Sequence, residues 1–308
     1  MSVILRANCI GSLVTQALSS EETGINGFVT NTFPNSFYVR SANDELLFVT
    51  NYSLRSPITV NLDPMSGLEH AVRPMDPVRI GRDRIDIGSG ISIDISKALH
   101  INSRSSVSSD TSQELSRIGK ALRVASTLLD IIDTTQSVMD PNGLAHGGAT
   151  AFAVNGVQPL RRSDPEKQFY DAAFKIVGLG SGFTPSGDDM LGGFLTAHNS
   201  LAAVVNRAPI LLDLSLLEEK TSWVSAKLLD YMQRLILDEQ LHRVIESATT
   251  GDQDTLVIAL ETLLPRGHTS GIDIAVGAIL GLSLMRDVAL KKEETEIIAR
   301  TLGLSNLA

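Results

Sequence analysis

With 308 residues, of which 43% are hydrophobic, the chain contains enough apolar material for two ordinary domains and is not disordered overall. Its net charge of −9 disfavours nucleic acid and anionic membranes as partners, because both attract positively charged surfaces. Its one cysteine, Cys9, excludes an intramolecular disulfide, and the absence of a signal-like N-terminus and of 18 consecutive apolar residues predicts a cytoplasmic protein without membrane spans.

The first hundred residues predict short β-strands. From residue 27 to residue 96, segments rich in β-branched and aromatic residues alternate with turn-forming residues. The pair Asn43-Asp44, for example, separates two such segments and is typical of a hairpin turn. We therefore expect residues 1–101 to form a β-rich N-terminal domain, either a small sheet or a barrel.

The pattern changes after residue 101. Residues 102–112 are polar and serine-rich, which indicates a linker or exposed loop. Apolar residues then recur about every 3.6 positions, which predicts a mainly helical domain over residues 113–308 and an α+β fold class. The segments with this pattern are 115–132, 189–206, 213–236, 253–264, 271–286 and 291–302. The glycine-rich stretch 141–160 interrupts it and predicts a hairpin or a loop.

Two glycine-rich stretches in the helical half share the pattern Ser-Gly-x-Asp-x-x-x-Gly. They are GLGSGFTPSGDDMLGGFL, residues 178–195, and GHTSGIDIAVGAILGL, residues 267–282. A purely structural interpretation is available, in which each serine and aspartate form a capping box at the start of a helix. The pairs are Ser186 with Asp189 and Ser270 with Asp273. The later glycines would then allow the two helices to cross closely.

Two helix caps do not explain the additional glycines and charged residues that flank the two patterns. Glycine costs about 1 kcal/mol of backbone entropy where no special conformation is needed, so glycine-rich loops before helices indicate N–H groups that approach a ligand. Helix starts carry partial positive charge and Arg266 adds a full charge, which favours a small anion in a shared pocket. The residues expected to bind it are Gly180, Gly182, Thr184, Ser186, Gly187, Arg266, Thr269, Ser270 and Gly271.

Acidic and imidazole side chains near the loops are the candidates for chemistry. Asp188 is the carboxylate that the capping interpretation leaves unused, so we expect it to act as an acid or base, or to accept an amide N–H. His268 and His146 lie beside glycines and are the other catalytic candidates. Together, Asp188, Asp189 and Asp273 would suit a hard cation such as Mg²⁺, although the sequence establishes no cofactor.

The same two stretches resemble the AllH-like family. The string Gly-x-Gly-x-Gly-x-Thr-Pro-Ser-Gly-Asp-Asp over residues 178–189 is long enough to be specific, and residues 266–282 support it. The resemblance implies a subunit of an oxamate carbamoyltransferase in allantoin and purine catabolism, with other protein subunits as partners. That activity interconverts oxalurate plus phosphate with oxamate plus carbamoyl phosphate. The resemblance assigns no residue roles.

Three functions are therefore in competition. The first is a carbamoyltransferase component that binds a small anionic substrate in the glycine-rich pocket. The second is a non-catalytic assembly subunit, in which the repeated pattern serves only to cap and pack helices. The third is a Mg²⁺-dependent amidohydrolase or carboxylase-like enzyme that uses the three aspartates. They differ in whether the two loops face each other, in whether an anion or a metal lies between them, and in whether Arg266 points inward.

Overall fold

A computed structural model describes residues 3–19, 25–63, 72–88, 90–101, 111–162 and 164–290. The chain divides into two compact units. One contains Met1–Arg104 with Ile236–Glu239, and the other contains Ser105–Leu235 with Gln240–Ala308. Of the predicted linker 102–112, residues 102–110 lie outside the described residues, and Thr111 already begins a helix.

The first unit is a closed, barrel-like sheet with one helix. Its eight described strands β1 to β8 form a ring in the order β5-β4-β3-β2-β6-β7-β8-β1, because β1 also pairs with β5, and β9 attaches to β1. The elements are β1 (Val3–Gly11), α1 (Ser12–Ser19), β2 (Ile25–Phe33), β3 (Ser36–Ser41), β4 (Leu46–Thr50), β5 (Thr59–Leu62), β6 (Pro77–Ile80), β7 (Arg84–Ile87), β8 (Ile91–Asp94) and β9 (Leu99–Ile101). The prediction of a β-rich N-terminal sheet or barrel is confirmed.

Alternating burial explains why these residues form a barrel. In β7, Ile85 and Ile87 are buried whereas Arg84 is exposed, as expected when successive side chains of a strand point to opposite faces. The inward-facing side chains form one apolar core. The predicted turn at Asn43-Asp44 connects the antiparallel strands β3 and β4, and Asp44 adopts the left-handed conformation, with a φ of 61°.

The second unit is helical throughout its described elements. These are α2 (Thr111–Leu129), α3 (His146–Ala151), a π-helical turn (Phe152–Val157), a 3₁₀ turn (Gln158–Arg161), α4 (Lys167–Ile176), α5 (Ser186–Leu201), α6 (Leu214–Glu218), α7 (Trp223–Gln233), α8 (Glu239–Thr250), α9 (Gln253–Leu263) and α10 (Ser270–Leu290). The predicted helical C-terminal region is confirmed, while the apolar pattern at 291–302 lies outside the described residues. Within the described part of the chain, we find no helix with both the length and the apolar character needed to cross a membrane.

Two details of the helical prediction are wrong. The stretch 141–160 contains α3, a π-helical turn and a 3₁₀ turn instead of a hairpin or loop, because burial of Ala149, Phe152 and Ala153 outweighs the low helix propensity of the neighbouring glycines. Helix α8 was not predicted, although its side chains at the spacing i, i+3, i+4 and i+7 are buried. They are Leu241, Val244, Ile245 and Ala248.

Helices α5 and α10 lie at the centre of the second unit, and their backbones touch. A Cβ atom added at Gly193 would lie 2.1 Å from the Ile274 carbonyl oxygen, and one at Gly277 would lie 1.8 Å from the Met190 carbonyl oxygen. Both values are far below any normal contact distance. The expectation that these glycines allow a close helix crossing is therefore confirmed, and the crossing brings the starts of α5 and α10 together.

Candidate functional site

The starts of α5 and α10 have similar backbone arrangements. Each follows a helix, α4 or α9, through a loop that folds back on itself. In the first copy the Gly187 N–H donates to the Leu179 carbonyl at 2.8 Å, and in the second the Gly271 N–H donates to the Arg266 carbonyl at 3.0 Å. The repeated sequence pattern thus coincides with a similar fold-back of the chain, although the hydrogen bond joins residues 179 and 187 in one loop and residues 266 and 271 in the other.

Much of the glycine in the first loop is required by the path of the backbone. Gly178, Gly180 and Gly182 have φ values of 79°, 111° and 108°, in a region that other residues rarely adopt. Gly182 is exposed and Gly180 is half-buried. The excess of glycine, from which we expected backbone contacts with a ligand, therefore has a structural reason as well.

Four hydroxyl groups connect the two helix starts. The Thr184 Oγ1 atom lies 3.1 Å from Ser270 Oγ, and the Ser186 Oγ atom lies 3.4 Å from Thr269 Oγ1. Each pair takes one hydroxyl from each copy, so the arrangement has an approximate two-fold character. The two loops face each other, as the repeated pattern led us to expect.

The capping-box prediction is wrong for Ser186. Pro185 occupies the N-cap position of α5 and makes no side-chain cap hydrogen bond, while Ser186 is the first helical residue. The Ser186 hydroxyl instead contacts Thr269 and donates to the Gln136 carbonyl at 3.4 Å. Ser270 is likewise the first residue of α10, and its hydroxyl contacts the opposite loop. The two serines connect the helices to each other and to a third segment.

Asp189 is a buried carboxyl on the α5 side of the site. Its Oδ2 atom accepts a hydrogen bond from Thr184 Oγ1 at 2.9 Å. Burial raises the pKa of Asp189 to about 8, although hydrogen bonds from Ser270 and Thr184 and the positive charge of Arg266 oppose that rise. Asp189 is therefore largely protonated at neutral pH and does not repel an anion.

Asp273 is the corresponding carboxyl of α10 and is completely buried. Its Oδ1 atom accepts a hydrogen bond from the Val138 N–H at 2.8 Å, whereas its Oδ2 atom has no partner of good hydrogen-bond geometry among the described residues. Burial raises its pKa to about 6, against the opposing effects of the Val138 N–H and the nearby Ser186 and Thr269 hydroxyls. One oxygen of this buried carboxyl therefore lacks a well-aligned donor, while the Ser186 and Thr269 hydroxyls lie close to the carboxyl.

The carboxylate oxygens of Asp188 are already hydrogen-bonded within the protein, whereas from the sequence we expected them to be available for a ligand. Its Oδ1 atom accepts from the Gly178 N–H at 2.7 Å, and its Oδ2 atom accepts from Thr221 Oγ1 at 2.5 Å and from Ser225 Oγ at 2.7 Å. The residue is 2% exposed. The geometry therefore supports a structural role, which connects the first loop to α7, in place of the expected catalytic or amide-binding role.

Replacing Asp188 by asparagine is accordingly expected to destabilise the helical unit by about 2 kcal/mol, because an amide nitrogen would replace an oxygen that accepts two hydroxyl donors. Urea unfolding, followed by circular dichroism at 222 nm, measures this effect. The exposed Asp254→Asn variant provides the matched control for the loss of one negative charge. Unchanged stability together with a loss of ligand binding would instead support a functional role for Asp188.

The three aspartates do not form the metal site that their spacing suggested. Within the described ranges, no group of three or more His, Cys, Asp and Glu side chains is placed to hold a metal ion. Asp188 is bonded toward α7, while Asp189 and Asp273 interact with hydroxyls between α5 and α10. The geometry gives no support for Mg²⁺ binding by this set.

The two candidate histidines differ in position. His146 begins α3 and is half-buried, and its Nδ1 atom lies 2.8 Å from the Val138 carbonyl oxygen. The Val138 N–H donates to Asp273, so the backbone of Val138 contacts both the His146 ring and the buried carboxyl. His268 is exposed, and its charge is a minor contribution to the lowered pKa of Asp133, which the Thr135 hydroxyl and N–H dominate.

Sequence reasoning missed the segment that contains Gln136 and Val138. It contributes to the site through backbone groups, the Gln136 carbonyl and the Val138 N–H, so side-chain identity gave no signal for it. Arg266, which was expected at the site, is half-buried and lies near enough to Asp189 to lower its pKa. The candidate site is therefore formed by three segments of the helical unit.

Comparison with known families finds two matches. Residues 6–101 match the AllH family N-terminal domain, and residues 176–282 match the family described as oxamate carbamoyltransferase subunit AllH. The second match begins at the last residue of α4 and ends within α10, so it contains both copies of the repeated arrangement. Neither a curated protein nor a solved structure matches the chain.

Proposed function

The chain belongs to the AllH family of oxamate carbamoyltransferase subunits, and we propose that it binds a small anion bearing an amide between the starts of α5 and α10. The substrates of this class are oxalurate, oxamate and carbamoyl phosphate. In the reaction, the bond between the carbamoyl carbon and the oxamate nitrogen breaks, a bond to a phosphate oxygen forms, and the nitrogen gains a proton. A role in allantoin catabolism in the cytoplasm is part of the proposal.

The observation that carries this proposal is the meeting of two helix starts around four hydroxyls. Helix starts attract anions through their partial positive charge and their N–H groups. The two cross-loop hydroxyl pairs, at 3.1 and 3.4 Å, bring the Ser270 and Thr269 hydroxyls to the site, and a bound anion would accept their hydrogen bonds in place of Thr184 and Ser186. Neutral Asp189 removes the like-charge repulsion that its carboxylate would impose, and Arg266 supplies a positive charge beside it.

The same groups suit the chemistry of carbamoyl transfer. Attack on the carbamoyl carbon creates a tetrahedral oxyanion, which N–H and O–H donors stabilise. Arg266 would balance the charge of phosphate. Asp189 has a pKa of about 8, so it holds a proton at neutral pH that it can donate to the departing oxamate nitrogen. In this mechanism Asp189 takes the acid role that the sequence had suggested for Asp188.

The family description names a subunit, so we propose that other protein chains complete the enzyme. A non-catalytic assembly subunit is the second candidate function, and one observation favours it. Positive φ values account for the glycines of the first loop, and the helix crossing accounts for Gly193 and Gly277, without any ligand. A binding measurement distinguishes the two candidates.

Phosphate, carbamoyl phosphate or oxamate is expected to raise the melting temperature of the full chain, and Arg266→Ala is expected to abolish most of that rise. A ligand that binds only the folded state stabilises it by about 2.7 kcal/mol at a hundredfold excess over Kd. For a unit of this size the shift is roughly 5–10 °C. Thermal-shift titration measures it directly.

The exposed Arg123→Ala variant is the control, because it removes the same charge from α2. Its ligand-induced shift should equal that of the native chain. If none of the three anions shifts the native melting temperature, even with partner subunits present, the assembly function is favoured. A normal shift in Arg266→Ala would instead remove Arg266 from the proposed site.

A further inference from the structure

The candidate site has two halves, one around Asp189 and one around Asp273, and their hydroxyl hydrogen bonds differ in length. On the Asp189 side, Thr184 Oγ1 donates to the carboxyl at 2.9 Å and lies 3.1 Å from Ser270 Oγ. These are ordinary hydrogen-bond distances, so the hydroxyls of this half contact the carboxyl and each other without a ligand.

The hydroxyl hydrogen bonds on the Asp273 side are longer. Its hydroxyl pair, Ser186 and Thr269, is separated by 3.4 Å, and the Ser186 bond to the Gln136 carbonyl is also 3.4 Å long. The Asp273 Oδ2 atom has no partner of good geometry in the described chain, although the residue is 0% exposed. A buried acceptor without a well-aligned donor is unfavourable, and each such atom in a folded protein requires an explanation, of which a functional role is one.

We infer that Asp273 Oδ2 accepts a hydrogen bond from the amide N–H of the substrate and thereby makes this site select amide-bearing acids over acids of the same shape without the amide. The inference rests on the proposed function. A carboxylate oxygen can recognise an N–H group and rejects another carboxylate by charge repulsion. Asp188, which the sequence suggested for amide recognition, already accepts three hydrogen bonds.

The segment around Val138 contacts both helix starts. The Val138 N–H donates to Asp273 Oδ1, and the Gln136 carbonyl accepts from Ser186 Oγ. Because Asp273 is completely buried, the inference requires that contacts around it open before a ligand reaches Oδ2. The contact between Ser186 and Gln136, at 3.4 Å, is the longer of these two, and opening it would leave the Val138 donor on Asp273 Oδ1 in place.

Three ligands of the same shape test the inference. Oxamate, pyruvate and oxalate differ in one position, which carries an NH₂, a CH₃ or a carboxylate oxygen. The native chain is expected to bind oxamate at least roughly tenfold more tightly than pyruvate, because a site built for an N–H rejects the analogue that lacks it. Isothermal titration calorimetry on the full chain measures the three affinities.

Asp273→Asn converts the acceptor into a donor. Its remaining oxygen can still accept from Val138, whereas its amide nitrogen takes the place of Oδ2. The preference is therefore expected to change from oxamate to oxalate, with the affinity ratio moving at least roughly tenfold. The exposed Asp254→Asn variant should retain the native preference.

Each outcome decides a separate point. If none of the three ligands binds the native chain, this inference fails, and if phosphate and carbamoyl phosphate also fail to bind with partner subunits present, the proposed function fails as well. Equal affinity of the native chain for oxamate and pyruvate overturns the inference alone, and so does an unchanged preference in folded Asp273→Asn. Should that variant fail to fold, comparison of oxamate with N,N-dimethyloxamate on the native chain decides, because the dimethyl compound lacks an N–H.

Discussion

Gly277→Ala is expected to destabilise the helical unit by about 3 kcal/mol or more, which is at or beyond the upper end of typical overpacking effects. The new Cβ atom would lie 1.8 Å from the Met190 carbonyl oxygen and 2.8 Å from the Phe194 nitrogen. Both are backbone atoms of α5 and cannot rotate away, so α5 and α10 must separate along their contact. The melting temperature of the unit should fall by roughly 10 °C.

Gly147→Ala is the matched control. A Cβ atom at Gly147 would have no neighbour within 4 Å, and the residue lies within α3. Alanine has the higher helix propensity, so the control is expected to leave stability unchanged or to raise it slightly. Thermal unfolding followed at 222 nm compares the two variants. A Gly277→Ala protein as stable as the control would show that the helices do not cross at this glycine.

The crossing of α5 and α10 also positions the hydroxyl and carboxyl groups of the candidate site. The hydroxyl pairs and both raised carboxyl pKa values depend on the first turns of α5 and α10 being adjacent, and the contacts at Gly193 and Gly277 set that distance. Since Ser270 of α10 lies close to Asp189 of α5, and Ser186 of α5 lies close to Asp273 of α10, neither copy of the repeat forms the site alone. The repeated pattern in the sequence therefore encodes one two-part site and not two separate ones.

Regular periodicity made the main elements predictable. The alternation of side chains in strands such as β7 and the apolar stripe of α2 are local properties that a sequence displays directly. The close crossing was also predictable, because glycines at matching positions of two apolar helices are typical of helices whose backbones touch. Helix α8 carried the same kind of periodic signal, although it was not predicted.

Side-chain roles at the site were harder to predict, because they depend on partners distant in sequence. A serine three residues before an aspartate gives the same local pattern whether it caps its own helix or contacts another one, and Pro185 occupies the cap. Asp188 seemed unused because its partners Thr221 and Ser225 lie in and just before α7. Val138 acts through its backbone N–H, which every residue except proline possesses.

The free energy of unfolding of the helical unit is expected to fall as pH rises from about 4 to about 8. Burial raises the pKa of Asp189 to about 8 and that of Asp273 to about 6, both above the ordinary value of 3.8. Between the unfolded and folded pKa values, the folded state binds more protons than the unfolded state. Each rise in pH therefore favours unfolding, by up to about 1.4 kcal/mol per pH unit and per group.

Asp189→Asn should remove the larger part of the pH dependence of the unfolding free energy, since the amide stays neutral at every pH. Between pH 5 and pH 8 the native chain is expected to lose about 3 kcal/mol more stability than the variant. Burial lowers the pKa of His198, which has the opposite pH effect, but it is present in both proteins and cancels in the comparison. Urea unfolding at 222 nm across this range measures the difference, with Asp254→Asn as the control for one lost charge. Parallel pH profiles of the native chain and Asp189→Asn would mean that Asp189 is ionised in the folded state at neutral pH, and the proposed proton donor would then be absent.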